Sequence, residues 1–444
     1  GQVIAARNGS PLIVGRRRDT GTIVCSSDTL SFSGLVDEIM VVENNQMVVI
    51  EPAAKPMGKP EVKLLEIPTG HKRELAFETF TQQQTQVDHE GFPHFMLKEI
   101  HETPTVIRQV VQQPDELLKK LAAALKTAPS IYTIGSGTAG IAAAQIAFYL
   151  RKFANLHVTS LVGADAAEYV SLFRKGDVLI APSQSGETAD VLEILEQAKQ
   201  KGCILVSYVN MVGSSMTRMA DFPFLAQAGP EICVMSTKIF TSQICWGYLL
   251  AKTVAGQIEE GKAELQKLAT VAETYLNDKQ AAQDRQKLVD FLLPKQDIFL
   301  LGKGENLQLI REGMVKLIEG TYAHAHAIPA GDLKHYAITL MEKGVPVIVV
   351  CSDDQGYEDS MNAAQEVQAR GAEVVIIGPQ KLLNQRRAQL KEAGAEHYLL
   401  LPAAGEAGAI LAVLPLQLLA YQLTVALGHD VDHPRNIAKS VTVK

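Results

Sequence analysis

Three short hydroxyl side chains and a glycine fall within six residues at Ser183-Gln184-Ser185-Gly186-Glu187-Thr188, between the apolar run 177–182 and an amphipathic stretch. Hydroxyls, free backbone N–H groups and the partial positive charge of a helix N-terminus are what a phosphate monoester needs, without a lysine. An ordinary helix cap uses one hydroxyl, so this cluster exceeds a cap's requirement. The spacing predicts a strand-to-helix crevice that binds phosphate. Glu312, Lys316 and Glu319 recur four and three residues apart and so share one helix face. Such a stripe is more often a solvated set of ion pairs. Here an apolar segment with interleaved histidines, 322–327, follows it, so shifted proton affinities suited to acid–base work are expected. Lys439 lies in the tail 433–444, which is too short to fold alone. If the tail docks into a crevice, Lys439 is a candidate imine-forming amine; otherwise it belongs to a frayed terminus.

Two other patterns carry weaker chemistry. Gly135-Ser136-Gly137-Thr138-Ala139-Gly140 spells G-x-G-x-x-G after a strand pattern, which taken alone suggests a dinucleotide fold. The confirming acid belongs at the end of a second strand about 20 residues on. Asp165 lies in that area, but the surrounding repeat is not that of a nicotinamide domain. The glycines are read instead as letting the backbone approach a sugar. His324, His326 and His335 with Asp332 invite a metal, yet no third ligand sits at a telling spacing. Neither a metal nor a cofactor is expected.

The elements that must position these residues follow from pattern. Residues 1–70 read as short strands over 2–6, 12–14, 22–24, 39–42 and 47–50, punctuated by Gly9-Ser10, Ser26-Ser27-Asp28 and Asn44-Asn45. Residues 71–104 are polar, include Gln82-Gln83-Gln84, and suit a linker that leads into a helix over 95–102. From about 105 strands and helices alternate, which predicts parallel sheets flanked by helices. The pattern also repeats. Residues 131–137 return at 298–304 and 177–185 at 345–353, at a shared offset of about 168 residues. Two copies of one α/β unit over 105–277 and 278–428, with a tail over 429–444, are expected; two unrelated doubly wound sheets are the alternative.

At 444 residues the chain has room for about three domains. Its 47% apolar and 20% charged residues exclude wholesale disorder, and its net charge of −7 argues against a nucleic-acid or anionic-membrane binder. Cys25, Cys203, Cys233, Cys245 and Cys351 form no C-x-x-C pair, which suits a reducing cytoplasm. The first residues lack a basic-then-apolar leader, so no secretory signal is expected. The apolar stretch 409–427 carries Pro415, Gln417, Tyr421, Gln422 and Thr424, which are costly in lipid, so a buried core helix is expected rather than a membrane span.

The combination resembles the glucosamine-6-phosphate synthase family, the isomerising glutamine–fructose-6-phosphate aminotransferases. The likeness rests on Ser183 through Asp190, Gly213-Ser214-Ser215, Ala228-Gly229-Pro230-Glu231-Ile232 and Ser236-Thr237-Lys238-Ile239-Phe240-Thr241-Ser242-Gln243. In the second half it rests on Glu312-Gly313 through Glu319, Ala330-Gly331-Asp332-Leu333-Lys334-His335 and Pro434 through Val443. It covers 95–444 and implies two sugar isomerase (SIS) domains, a homodimer, and glucosamine 6-phosphate made from fructose 6-phosphate with nitrogen from glutamine or ammonia. In that likeness Ser183, Gln184, Ser185 and Thr188 hold phosphate and sugar, with Gly137, Thr138, Glu231 and Ala438 as further sugar-site positions. Lys439 forms the imine at C2, Glu319 moves a proton between C1 and C2, and Lys316 supports the site. His335 assists ring opening from the partner subunit.

Four positions depart from the family pattern. Gly137 stands where a serine is usual, with Thr138 beside it as the substitute; Tyr336-Ala337 replaces glycine-proline after His335; His326 replaces an acid. Residues 1–70, with Ala6-Arg7-Asn8-Gly9-Ser10-Pro11-Leu12, resemble only the back part of the family's Ntn-type glutaminase domain. That domain's nucleophile is an amino-terminal cysteine, whereas this sequence begins at Gly1 and Cys25 is internal. The expectation is therefore a sugar-isomerase part without glutamine hydrolysis. A deglycase or deaminase of phosphorylated sugar–amines is the enzyme alternative. A sugar-phosphate-binding regulator is the other, although sensing needs only the cradle and not Glu319, His335 and Lys439.

Overall fold

The computed structural model describes every residue except 8–11, 28, 33, 54–57, 81–87, 355, 386–387, 389–394 and 442–444. Asn8, Gly9, Ser10 and Pro11 of the 6–12 motif, Asp28, Gln82 to Gln84, and Thr442 and Val443 of the tail therefore lie outside the described residues. The chain divides into two compact units. One holds Gly1–Asp88, Gly163–Leu225 and Ser440–Lys444; the other holds His89–Val162 and Ala226–Lys439.

The first unit opens with β1 (Val3–Arg7), β2 (Leu12–Arg16), β3 (Ile23–Ser26), β4 (Glu38–Val42), β5 (Gln46–Glu51), β6 (Glu61–Glu66), β7 (Lys72–Arg73) and β8 (Glu78–Thr79). They form two antiparallel sheets, ordered β1-β5-β6-β7 and β3-β2-β4-β8. Successive strand side chains point to opposite faces, and β2 buries both. Val14 packs with Met40, Val42, Val48 and Leu64, while Ile13 packs with Phe32, Val36 and Ile39. The predicted turn at Asn44-Asn45 joins β4 to β5, with Asn45 at φ 62°, a left-handed conformation that asparagine tolerates. The polar stretch after residue 71 contributes β7 and β8 to the sheet edges.

The second unit begins with α1 (Phe95–His101), α2 (Thr103–Val111), α3 (Asp115–Thr127), β9 (Ile131–Gly135), α4 (Gly137–Ala154) and β10 (Val158–Val162), with β9 and β10 parallel. The chain then returns to the first unit for β11 (Val178–Ser183), α5 (Ala189–Gln200), β12 (Ile204–Val209), α6 (Ser215–Met219) and β13 (Phe222–Leu225). These three strands are parallel and neighbours in that order. All six residues of β11 are buried, as a strand covered on both faces requires.

The rest of the second unit comprises α7 (Lys238–Val254), α8 (Ile258–Leu276), α9 (Lys279–Leu292), β14 (Asp297–Gly302), α10 (Asn306–Thr321), β15 (His324–Pro329), β16 (Pro346–Val350), α11 (Tyr357–Gln368), β17 (Glu373–Pro379), α12 (Gln380–Gln385), β18 (Ala395–Leu401) and α13 (Val413–Ala426). Its five-stranded sheet is parallel throughout, ordered β15-β14-β16-β17-β18. The segments expected to repeat, 131–137 and 298–304, each form a strand that ends in glycine and leads into a helix.

The apolar stretch is a core helix, as expected. Leu414, Leu416, Leu418, Leu419 and Leu423 of α13 are buried, each worth about 2 kcal/mol of transfer free energy. Its polar donors find carbonyls: Gln417 Nε2 donates to the Thr237 carbonyl at 3.1 Å and Thr424 Oγ1 to the Ala420 carbonyl at 2.7 Å, while Gln417 Oε1 is buried without a partner. Gly313 and Gly320 on α10 let the two helices approach. A Cβ at Gly313 would stand 3.0 Å from Leu416 Cδ1, and one at Gly320 only 2.1 Å from Thr424 Oγ1.

Candidate active site

The expected residues divide between the units. Ser183, Gln184, Ser185 and Thr188 belong to the first; Gly137, Thr138, Glu231, Lys316, Glu319, His335, Ala438 and Lys439 belong to the second.

In the first unit, β11 ends at Ser183 and the loop 184–188 opens α5. Ser183 Oγ accepts from the Gly186 N–H at 2.9 Å, and Ser185 Oγ from the Glu187 N–H at 3.2 Å. Gly186 has φ 69°, and a Cβ there would stand 2.2 Å from Ser214 Oγ, so only glycine fits. Thr188 occupies the N-cap position of α5, yet its hydroxyl makes no capping bond. The cap reading therefore fails for Thr188, whose hydroxyl is free of that duty. Both polar atoms of the Gln184 amide are buried with no hydrogen-bond partner, a costly state that a bound polar ligand would relieve. The tail docks on this loop. Ser440 Oγ lies 3.2 Å from Ser185 Oγ, and the Ala189 N–H donates to the Val441 carbonyl at 3.3 Å. Behind the loop, the buried Glu187 carboxylate accepts from the Ser215 N–H at 2.7 Å. Burial pushes its proton affinity up to about 7, against the opposing pull of the Ser215 bonds, Arg218 and Arg7.

In the second unit, the stripe on α10 is buried, contrary to a solvated ion-pair reading. Glu312 is 1% exposed and Lys316 0%, and Lys316 Nζ sits 3.4 Å from Glu312 Oε1 and 2.7 Å from Glu319 Oε2. Burial lifts Glu312 to about 7 while Lys316 opposes that rise. Burial also disfavours charge on Lys316, but the two carboxylates outweigh it and raise its proton affinity. Thr138 Oγ1 donates to Glu312 Oε1 at 3.5 Å, so the glycine loop at the start of α4 meets the stripe. Gly137 there has φ 55° and faces open space.

Lys439 is not a frayed end. Its side chain is 14% exposed, and its Nζ donates to Glu231 Oε2 at 2.6 Å and to the Cys233 carbonyl at 2.7 Å. Glu231 also accepts from Ser236 Oγ at 2.9 Å and from the backbone N–H groups of Thr237 and Ile239 at 2.9 and 3.1 Å. Burial would raise its proton affinity, but Lys439 and those donors outweigh it, and the carboxyl stays below its ordinary value. A lysine held against a carboxylate in this way can exchange protons with a carbonyl compound and add to it.

Other expected residues stay outside this cluster. His335 is exposed in a 3-10 turn, Ala330–His335, with no hydrogen bond or ion pair among the described residues. Ala438 is exposed beside Lys439. His324 is 82% exposed and pairs with Asp297 at 3.4 Å, and His326 stacks on Phe299. Among the described residues no group of three or more histidines, cysteines or acids could hold a metal ion. Asp165 is exposed at the end of a 3-10 turn, Gly163–Asp165.

Two residues escaped the sequence reading. Ser136 takes the N-cap position of α4 without a capping bond, and its Oγ is buried and unpartnered; its place inside the glycine loop was the available signal. Glu99 is buried on α1 between Met96 and Ile100, and its Oε1 accepts from the Ile232 and Cys233 N–H groups. A lone acid interrupting an apolar helix stripe was the signal there.

The SIS domain profile matches residues 124–253 and 291–427. The curated isomerising glutamine–fructose-6-phosphate aminotransferase of Thermococcus kodakarensis is 30% identical over all of this chain and 72% of its own length; that of Clostridium tetani is 33% identical with the same coverage. The chain belongs to the glutamine–fructose-6-phosphate aminotransferase family. The C-terminal domain of glucosamine-fructose-6-phosphate aminotransferase from Francisella tularensis matches in structure with a TM-score of 0.68 and 27% identity, covering 78% of this chain and 100% of that one. The fold class expected from sequence is borne out: two SIS domains with parallel sheets and flanking helices, and an antiparallel β-rich segment in front. The first SIS match takes in the glycine loop 135–140, so the dinucleotide reading of that loop is set aside.

Proposed function

We propose that this aminotransferase-family chain converts fructose 6-phosphate to glucosamine 6-phosphate, in amino-sugar biosynthesis, with glutamine or ammonia as nitrogen source. The observation that carries the reading is the Lys439 amine, sheltered from water and held between Glu231 and the Cys233 carbonyl. Ser440, the next residue, meets Ser185 of the phosphate-cradle loop. On this reading Ser183, Gln184, Ser185 and Thr188 take the phosphate, and the free amide of Gln184 gains a partner.

The chemistry then follows group by group. Lys439 gives up a proton and its nitrogen attacks C2 of the open sugar; the C2–N bond forms, the C2–O bond breaks, and the oxygen leaves as water. Ammonia displaces the lysine from that imine. Glu319, oriented by Lys316, takes a proton from C1 and returns one to C2, which turns the ketose imine into the aldose amine. His335, exposed on its own subunit, assists ring opening in the site of a second copy, so the working form is a homodimer. Thr138 supplies the sugar contact that Gly137 lacks.

Product analysis tests the reading. Incubation with fructose 6-phosphate and ammonium should yield glucosamine 6-phosphate, and Lys439→Ala should remove that product. Consumption of glucosamine 6-phosphate with release of ammonia, and no synthesis, would make the chain a deaminase. Ligand-stabilised melting without any turnover would make it a regulator.

A further inference from the structure

We propose that Glu99 is the positioning residue for Lys439, an inference that rests on the reading of Lys439 as the imine-forming amine. Glu99 is 2% exposed and projects from the buried face of α1. Its Oε1 accepts from two successive backbone N–H groups, that of Ile232 and that of Cys233, the latter at 3.2 Å. Those two residues follow Glu231 directly, and the pair of acceptors that holds the amine is Glu231 Oε2 and the Cys233 carbonyl. One carboxylate oxygen therefore fixes the strip of backbone that carries both acceptors.

The other oxygen shows that packing alone does not account for Glu99. Its Oε2 is buried and has no hydrogen-bond partner, and an unpartnered polar atom in apolar surroundings costs stability that an aliphatic side chain would not. Glu99 also answers to charge at the amine. Burial and then the neighbouring Glu231 push its proton affinity up to about 8, while Lys439, the Ile232 bond and Lys238 pull the other way. The groups facing it are Glu231, Cys233 and Lys238 from the 231–238 segment, with Lys238 paired to Glu102, and Lys439 from the tail. Asp432 caps α1 at the Phe95 and Met96 N–H groups, both at 2.9 Å, and Tyr421 of α13 bonds His94 just before that helix. Ionised Glu99 places a second negative charge beside the ammonium and opposes the proton loss that imine formation needs.

The test is the rate of borohydride trapping of fructose 6-phosphate on Lys439, read by peptide mass across pH 6 to 9. Glu99→Ala removes the acceptor for two buried N–H groups and should slow trapping by about tenfold. Glu99→Gln keeps an oxygen for both N–H groups and should trap at the wild-type rate at the acid end of the range. The wild-type profile should carry a component with its midpoint near 8 that Glu99→Gln lacks. Wild-type rates and an unchanged profile in Glu99→Gln would overturn the proposal, whether or not the alanine variant folds. Absence of wild-type trapping, with a Lys439→Ala control that looks the same, would instead overturn the reading of Lys439, and this proposal with it.

Discussion

Thr188 has a hydroxyl that the fold itself does not use for capping, Ser185 has one that meets the Glu187 N–H and Ser440, and Gln184 has an amide left wholly unpaired. Each hydrogen bond to a charged phosphate contributes about 1.5–3 kcal/mol, so Ser185→Ala and Thr188→Ala should each raise KM for fructose 6-phosphate by roughly tenfold to a hundredfold. Unphosphorylated fructose should show no such difference between variants and wild type; an equal loss on both sugars would remove the phosphate from this loop. Glu187 makes a separate prediction. Its carboxyl binds a proton more tightly folded, at about 7, than unfolded, at 4.5, so its contribution to stability is present below 4.5 and is lost as pH rises through 7. Glu187→Gln keeps the Ser215 bond and cannot ionise, so it should gain on wild type by up to about 3 kcal/mol between those limits. Melting temperatures of the two proteins from pH 5 to 8 should diverge with rising pH; parallel curves would contradict this. The hydroxyl cluster was legible in sequence because three hydroxyls in six residues exceed what a cap needs. Glu99 left a trace, a lone acid in an apolar helix stripe, but not its role, because residues 99, 231 and 439 meet only through tertiary structure.

Helices α10 and α13 meet because two glycines make room. Gly320→Ala would drive a methyl into Thr424 Oγ1, which should cost about 1–3 kcal/mol and lower the melting temperature by several degrees. Thr424→Ala in the same chain removes the obstructing oxygen and should restore part of the loss; a double variant no better than Gly320→Ala would show that the clash is not the cause. The mixed apolar stretch of α13 gave away a buried helix, since Gln417 and Thr424 are poor in lipid yet have donors that carbonyls in a protein core can take; its pairing with α10 was not legible, because it rests on two glycines whose contacts are tertiary. The two-residue strands β7 and β8 were illegible for the opposite reason. A segment that short has no period, and it pairs only because a sheet edge is already there.

Across the chain, the shared repeat offset made the doubled α/β architecture readable, while the oligomer lies beyond any pattern within one sequence. If His335 serves the site of a second copy, two inactive variants complement each other. Mixed refolding of His335→Ala and Lys439→Ala chains should regain about a quarter of wild-type activity, because half the dimers then hold one intact site. No recovery, with mixed dimers demonstrated by mass, would return His335 to its own subunit. The account as a whole stands on the nitrogen of Lys439. Incubation with fructose 6-phosphate, reduction with borohydride and peptide mapping should place the sugar-phosphate mass on Lys439 and on no other lysine. The same mass on Lys316, or an intact Lys439 beside full turnover, would contradict it.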